Sequence, residues 1–301
     1  MSDFEHAPVL LEETAAILAG CRRVLDGTAG AGGHARRLAH AGARVFAIDQ
    51  DPVAVRAASA VLPPPHVVRE LNFADAAADP EVRAFAPDGV LLDLGVSSPQ
   101  IDDVTRGFSF RQGAPLDMRM SGTGPTAAEW LSRADEDEMA EAFRDGADEP
   151  RAGALAREIA RRRQRGPFAS SDDLVNAVRK VLGPRSGPPE FARAFQAVRI
   201  AVNRELERLD TALPALFALL EPGGVLAVIA YHSGEDRRVK RAMREWSRSC
   251  VCPPEQPVCT CRGRALGTLA SRRAVVASPA EIAANPRARS ARLRAIRKAA
   301  A

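Results

Sequence analysis

The sequence predicts an α/β protein whose parallel, Rossmann-like sheet is interrupted by a helical insertion, on three observations. Short apolar runs alternate with helical patterns from Val24 to Leu94. Three of those runs end in a carboxylate, at Asp26, Asp49 and Asp93. After Gln100 the alternation gives way to amphipathic helical periodicity, and a buried strand pattern returns only at Val225.

Residues 7–19 read as a lead-in helix that packs onto the first strand. Val24-Leu25 then enters a glycine-dense turn, Asp26-Gly27-Thr28-Ala29-Gly30-Ala31-Gly32-Gly33, which runs into a helix from His34. Glycines there permit positive φ and a close approach to a ligand, and the following helix aims its unsatisfied N–H groups at the same place. Gly30-x-Gly32-x-x-Ala35 also meets the dinucleotide fingerprint, so the turn alone does not separate a nicotinamide cofactor from another adenosine ligand. Val45 to Ile48 is the next strand and ends in Asp49, placed to accept from ribose hydroxyls. A carboxylate at the glycine turn, Asp26, opposes a pyrophosphate but suits a ligand carrying an ammonium and a sulfonium. That favours S-adenosylmethionine over NAD. A helix from Pro52 to Val61 and a strand at Val67-Val68 continue the series, and Gly89 to Leu94 supplies the third acid, Asp93. Carboxyl ends of parallel strands share one edge, so Asp26, Asp49 and Asp93 should converge on one crevice.

In the insertion, Thr126-Ala-Ala-Glu129 is a capping box opening a helix that carries Trp130, Leu131, Met139 and Phe143, and Leu155 with Ile159 marks a second. A third follows Ser170-Ser171 and is closed by Gly183-Pro184. Phe191, Phe195, Val198, Val202, Leu206 and Leu209 predict one long helix leading back to the sheet, followed by a short one from Leu213 to Leu220. Val225 to Tyr231 is a buried strand, and Ser233-Gly-Glu-Asp236 caps the next helix. Val275-Val276 reads as the last strand, with Ser278-Pro279-Ala-Glu281 opening a terminal helix. The domains are therefore 1–100 with 196–301 for the sheet, and 101–195 for the helical insertion.

At 301 residues and 46% hydrophobic content the chain can bury a substantial core. No apolar run approaches the roughly 20 residues that span a bilayer, and the N-terminus lacks the pattern of a signal peptide, so a cytoplasmic location with no membrane partner is expected. The net charge is only +4, but arginine is unevenly placed. Arg287, Arg289, Arg292, Arg294, Arg297 and Lys298 make the C-terminal tail an anion-seeking patch, and Arg161 to Arg163 with Arg165 make another. His232 with Glu235 and Asp236 reads as a helix cap plus a surface ion pair. Cys250, Cys252, Cys259 and Cys261 form Cys-x-Cys-x6-Cys-x-Cys, with Cys21 remote. Tetrahedral zinc and reduced thiols both stay open there, and no metal is assigned.

Seven blocks in order, the glycine turn, Asp93-Leu-Gly-Val-Ser-Ser-Pro-Gln100, Arg106-Gly-Phe-Ser-Phe110, Pro115-Leu-Asp-Met-Arg-Met120, Phe195 to Glu205, His232-Ser-Gly-Glu-Asp-Arg237 and Asn285-Pro-Arg-Ala-Arg-Ser290, closely resemble the MraW (RsmH) family of small-subunit ribosomal RNA methyltransferases. The resemblance covers nearly the whole chain. It implies a class I S-adenosylmethionine-dependent methyltransferase sheet with a helical insertion that recognises RNA. The activity implied is methylation of N4 of a cytidine in 16S ribosomal RNA at the decoding centre, with S-adenosyl-L-methionine as donor. The partner is 16S ribosomal RNA or the small ribosomal subunit, and a homodimer is left open. Carried over by position, Gly32, Gly33 and His34 contact the donor in the turn, Asp49 its ribose and Phe73 its adenine, followed by Asp93 and Gln100. Ser98 in the post-strand turn and Asp117 are the candidate catalytic acceptors for an amine hydrogen. Phe108 and Phe110, among Arg106, Arg111 and Arg119, can stack a flipped base and hold its phosphates, with at least one of the two rings an anchor of the loop. The chain departs from the family in having Tyr231 where Phe is usual.

Two rivals explain less. A nicotinamide oxidoreductase uses the same fingerprint but leaves Asp26 and the basic tail unaccounted for. A non-catalytic RNA-binding protein accounts for the tail and leaves the acid-lined crevice without a purpose.

Overall fold

The computed structural model describes residues 8–253, 255–256 and 258–300, with the side chain of Ser98 outside the described set. In chain order the elements are α1 (Leu11–Ile17), β1 (Arg23–Asp26), α2 (Gly33–His40), β2 (Arg44–Asp49), α3 (Pro52–Val61), β3 (Val67–Glu70), α4 (Pro80–Phe85), β4 (Gly89–Asp93), α5 (Ser98–Asp102), α6 (Ala127–Arg133), α7 (Glu136–Ala147), α8 (Ala152–Arg163), α9 (Ser171–Leu182), α10 (Pro188–Asn203), α11 (Glu205–Leu219), β5 (Val225–Ala230), α12 (Ser233–Trp246), β6 (Gly267–Leu269), α13 (Pro279–Ala284) and β7 (Arg292–Lys298). They form two compact units, residues 1–95 with 208–301, and residues 96–207. No helix among the described residues is long and apolar enough to cross a membrane.

The first unit is built on a seven-stranded sheet in the order β3-β2-β1-β4-β5-β7-β6. Strands β1 to β5 are parallel, and β7 runs antiparallel between β5 and β6. The antiparallel β7, set between β5 and β6, departs from the dinucleotide-binding strand order 3-2-1-4-5-6. The strands alternate their side chains between two cores, as a period of two requires. Val24, Val45, Ala47, Leu91, Val225, Ala227 and Ile229 face Leu10 just before α1, Ala35 and Leu38 of α2 and Ala58 of α3. Leu25, Phe46, Ile48, Val90, Leu92, Leu226 and Val228 face Val82 and Phe85 of α4, Leu209 to Phe217 of α11, and Val239, Met243 and Trp246 of α12. A sheet covered on both faces in this way has only its strand ends open to ligands.

The second unit is helical, with a core of Leu131, Met139, Phe143, Leu155, Ile159, Leu174, Val178, Phe191, Phe195 and Val198. The capping boxes at Thr126 and Ser170 open α6 and α9, and Gly183 caps the end of α9.

Four sequence expectations are corrected. The periodicity from Trp130 to Phe143 is two helices, because the Asp135 carboxylate accepts from Glu138 N–H and starts α7 afresh. The long helix expected from Phe191 to Leu209 breaks at Arg204, a non-glycine residue at φ 52, so α11 instead absorbs the short helix expected at Leu213 to Leu220. Val275 makes only an isolated bridge to Leu293. The last strand is β7, so most of what reads as a basic tail is a sheet strand with Leu293, Ala295 and Ile296 buried. Of the expected lead-in helix, α1 covers residues 11–17; residue 7 lies outside the described residues.

Candidate functional site

Strand β1 has β2 on one side and β4 on the other, and chain order reverses there: the chain leaves β1 toward β2 and β3, then returns to β4. Ligands of open α/β sheets bind at the carboxyl ends of strands flanking such a switch point. Asp26, Asp49 and Asp93 are the last residues of β1, β2 and β4. Between the first two runs the glycine turn, with Gly30 at φ 52 and Gly32 at φ 84. A Cβ on Gly32 would sit 2.7 Å from Val61 Cγ2 and one on Gly33 would sit 2.2 Å from Pro8 Cγ, so these two glycines let the turn press onto its own scaffold. A Cβ on Gly30 meets nothing, so the opposite side of the turn is open.

The acids are not interchangeable. Asp49 is the support of the turn: its Oδ2 accepts from Gly30 N–H and its Oδ1 from Asp51 N–H, both at 2.9 Å. Asp93 Oδ1 accepts from the Tyr231 hydroxyl at 2.8 Å, and its Oδ2 lies 3.5 Å from His34 Nε2, an ion-pairing distance outside good hydrogen-bond geometry. Burial, then the Asp93 charge, pushes the Tyr231 hydroxyl well above its ordinary range, so it stays a donor. Asp26 is 1% exposed. Its Oδ1 accepts from Thr28 N–H, and its Oδ2 is buried with no hydrogen-bond partner among the described residues. Burial lifts its pKa to about 6 against the pull of His34 and the Thr28 N–H, with Asp93 and Asp49 adding to the rise. The folded value lies above the unfolded one, so the protonated form favours folding. That contribution is full below the unfolded pKa and is lost as pH rises through about 6. His34 is held above its ordinary value: burial lowers it, and Asp93 and Asp26 outweigh burial. A buried carboxylate oxygen with no partner, beside an open-sided turn, is a place that a cationic ligand fits and a phosphate does not.

Phe73 follows β3 and is half-buried, its Cβ 3.3 Å from where a Cβ on Gly27 would lie, which puts it near the end of β1. The structure thus places Gly32, Gly33, His34, Asp49, Phe73 and Asp93 around the carboxyl ends of β1, β2 and β4. Gln100, in the second unit, is buried, and its Oε1 accepts from Ser97 N–H at 3.0 Å, closing the cap of α5. His232 is the N-cap of α12, with its Nε2 3.2 Å from Glu235 Oε1; the pair is buried rather than on the surface as the sequence suggested.

In the second unit the segment holding Asp117 is clamped by a residue that sequence reasoning passed over. Asn203 Oδ1 accepts from Met120 N–H, and its Nδ2 donates to Met118 O and Arg199 O, at 2.8 to 2.9 Å. Gly107 lets the preceding loop cross against this segment, since a Cβ there would sit 2.4 Å from Pro115 O. Arg106 donates to Arg119 O and Met120 O. Asp117 Oδ1 accepts from Arg119 N–H and Nε, and its Oδ2 from the guanidinium at 2.7 Å. Burial would raise the Asp117 carboxyl, but Arg119 outweighs it and holds it below the usual range. It is an ionised acceptor with three of about four lone-pair directions filled. Phe110 stacks edge-on against Phe191 and Phe195 at 6.0 and 6.1 Å, whereas Phe108 has the Arg106 guanidinium 5.8 Å from its ring centre. The side chain of Ser98 lies outside the described residues.

The basic patches are partly consumed by the fold. Arg161 and Arg162 both pair with Glu158, and Arg163 donates to Leu131 O and Ala134 O. Arg294 pairs with Asp236, and Lys298 donates to Ala218 O and Leu220 O. Arg289 and Arg292 are exposed.

A family model described as the MraW methylase family matches residues 3–299. A protein of Gemmatimonas aurantiaca named Ribosomal RNA small subunit methyltransferase H is 56% identical, the match covering 98% of this chain and 95% of that protein. Proteins of the same name from Myxococcus xanthus and Anaeromyxobacter dehalogenans are 46% and 44% identical, each match covering 99% of this chain and 98% and 99% of the relative.

Proposed function

This chain belongs to the MraW methylase family, and from that membership we propose that it transfers a methyl group from S-adenosylmethionine to N4 of a cytidine in 16S ribosomal RNA, at the decoding centre. The observation that carries the donor is the buried, half-partnered carboxylate of Asp26 beneath the glycine turn, flanked by Asp49 and Asp93. When bound, the donor would supply a methyl on a sulfonium: the N4–C bond would form as the S–C bond breaks, leaving a neutral thioether, and one N4 proton would pass to the acceptor or to water.

The residues do the rest. Asp49 accepts from ribose hydroxyls with the lone pairs that Gly30 and Asp51 leave. Phe73 borders the adenine. Asp26 and Asp93 supply negative potential for the donor's positive groups, and Gly32, Gly33 and His34 shape the turn around it. Gln100 contributes by fixing the α5 cap. Cytosine N4 is a weak nucleophile because its lone pair is conjugated into the ring, so holding one of its hydrogens and orienting it matters more than a strong base. Asp117 has one lone-pair direction left for that hydrogen, and Ser98 is the alternative acceptor. Phosphate contacts fall to the exposed Arg289 and Arg292, with 16S ribosomal RNA or the small subunit as partner.

A calorimetric titration tests the donor. S-adenosylmethionine is expected to bind and NAD is not. Affinity for the cationic donor should rise from about pH 5 to about pH 7, because the ionised form of Asp26 is the one that attracts it, and the protonated form dominates below about 6. Asp26→Asn should flatten that rise. Tighter binding of NAD than of S-adenosylmethionine would return the site to the oxidoreductase reading.

A further inference from the structure

Between α12 and β6 the chain leaves the sheet and returns to it over residues 247–266. The excursion is tied at its base: Leu266 N–H donates to Trp246 O at 2.8 Å, and Arg262 donates to Glu245 O and Arg248 O. Among its described residues Val251 and Val258 are 36% and 68% exposed, so they build no apolar core there. A segment of this length with no helix or strand among its described residues needs some other reason to hold one conformation. At its centre are four cysteines.

The Sγ atoms of Cys250, Cys252, Cys259 and Cys261 all lie within 4.8 Å of one another. Cys259 to Cys261 is 3.5 Å, Cys250 to Cys259 3.7 Å, Cys250 to Cys261 3.8 Å and Cys252 to Cys259 3.9 Å. Four thiolates at ~2.3 Å from a central zinc stand about 3.8 Å apart along the edges of their tetrahedron. A disulfide instead brings two sulfurs to ~2.05 Å, which none of these pairs approaches. Backbone support is present too: Val251 N–H donates to Cys261 Sγ at 3.4 Å, the kind of outer contact that orients a thiolate ligand. The fifth cysteine stands apart, with Cys21 Sγ donating to Asp88 O.

We propose that Cys250, Cys252, Cys259 and Cys261 together bind one structural zinc ion, which serves as the core of the 247–266 loop. Four soft thiolates select zinc over hard cations, and four protein ligands leave no open position, so the ion holds structure and does no chemistry. Four thiolates around a divalent ion carry a net charge of −2, and Arg248, Arg262 and Arg264 flank the cysteines in sequence with compensating charge. The one-residue spacing within each pair is tighter than in common zinc knuckles. The chain meets it by bringing the two pairs together from opposite arms of the loop.

The test uses the full-length, untagged protein. Elemental analysis should find one zinc per chain, and cobalt(II) exchanged into the site should give the visible spectrum of a tetrahedral tetrathiolate. Cys252→Ser and Cys259→Ser should each lower zinc content at least ten-fold, while Cys21→Ser keeps it. Because a cysteine variant can simply disorder the loop, a second measurement uses the unaltered chain: four thiols should be protected from a thiol reagent and become reactive when a chelator is added, with the cooperative unfolding of the sheet retained. Any of three results would overturn the proposal: no zinc after reduction and reconstitution, iron in its place, or two disulfides among the four cysteines by mass.

Discussion

Asp49→Ala should weaken S-adenosylmethionine binding ten-fold or more by calorimetry. The residue does two things at once at the end of β2. Its oxygens anchor the N–H groups of Gly30 and Asp51, holding the turn at the positive φ of Gly30. In the proposed complex the remaining lone pairs accept from the ribose. A hydrogen bond to a charged group is worth about 1.5–3 kcal/mol, or roughly ten- to hundred-fold in affinity. Burial holds this carboxyl above its ordinary range although the Asp51 and Gly30 N–H groups pull it down. Asp49→Asn keeps one carbonyl acceptor in the same place and should lose less than Asp49→Ala. Unchanged affinity in Asp49→Ala would remove the residue from the donor site.

Phe108→Ala should lower RNA methylation about five- to hundred-fold with donor affinity unchanged, and Phe110→Ala should instead lower stability. The two rings sit two residues apart on one loop and both pack against the helical core, but their ring partners differ. Phe110 is held edge-on between Phe191 and Phe195, each such pair worth roughly 0.5–1.5 kcal/mol beyond its burial, so its loss loosens the helical unit. Phe108 has a guanidinium for a neighbour, the pairing that nucleic-acid sites use to hold a base and its phosphate. A base leaving its helix gives up a few kcal/mol, and one aromatic ring returns about 1–3 kcal/mol of it. Single-turnover methylation with saturating donor, beside thermal unfolding of both variants, separates the roles. Equal losses of stability would make both rings anchors of the loop.

What the sequence made legible follows from polarity. In a parallel sheet every carboxyl end lies on one edge, so three apolar runs ending in Asp26, Asp49 and Asp93 announce a shared crevice without any knowledge of packing. Punctuation was legible too, as at Ser170 and Gly183 around α9. The break between α10 and α11 was not, because the apolar period runs on past Arg204 and nothing in that residue type signals a left-handed backbone. Strand β7 was hidden by its own charge. Arg292-Leu-Arg-Ala alternates as a strand should, yet its arginines read as a tail. Asn203 and Tyr231 gain their roles only from partners 83 and 138 residues away, which no local pattern encodes. The cysteine spacing alone left two chemistries open, and the convergence of the sulfurs in space favours one of them.

The most direct test of the central claim is transfer of a labelled methyl group from S-adenosylmethionine to small ribosomal subunits from cells lacking this protein, followed by mass mapping of the digested nucleosides. The account predicts a single labelled product, N4-methylated cytidine from one site in the 16S ribosomal RNA. Label on the ribose, on a ring carbon or on another base, or none at all, would contradict it.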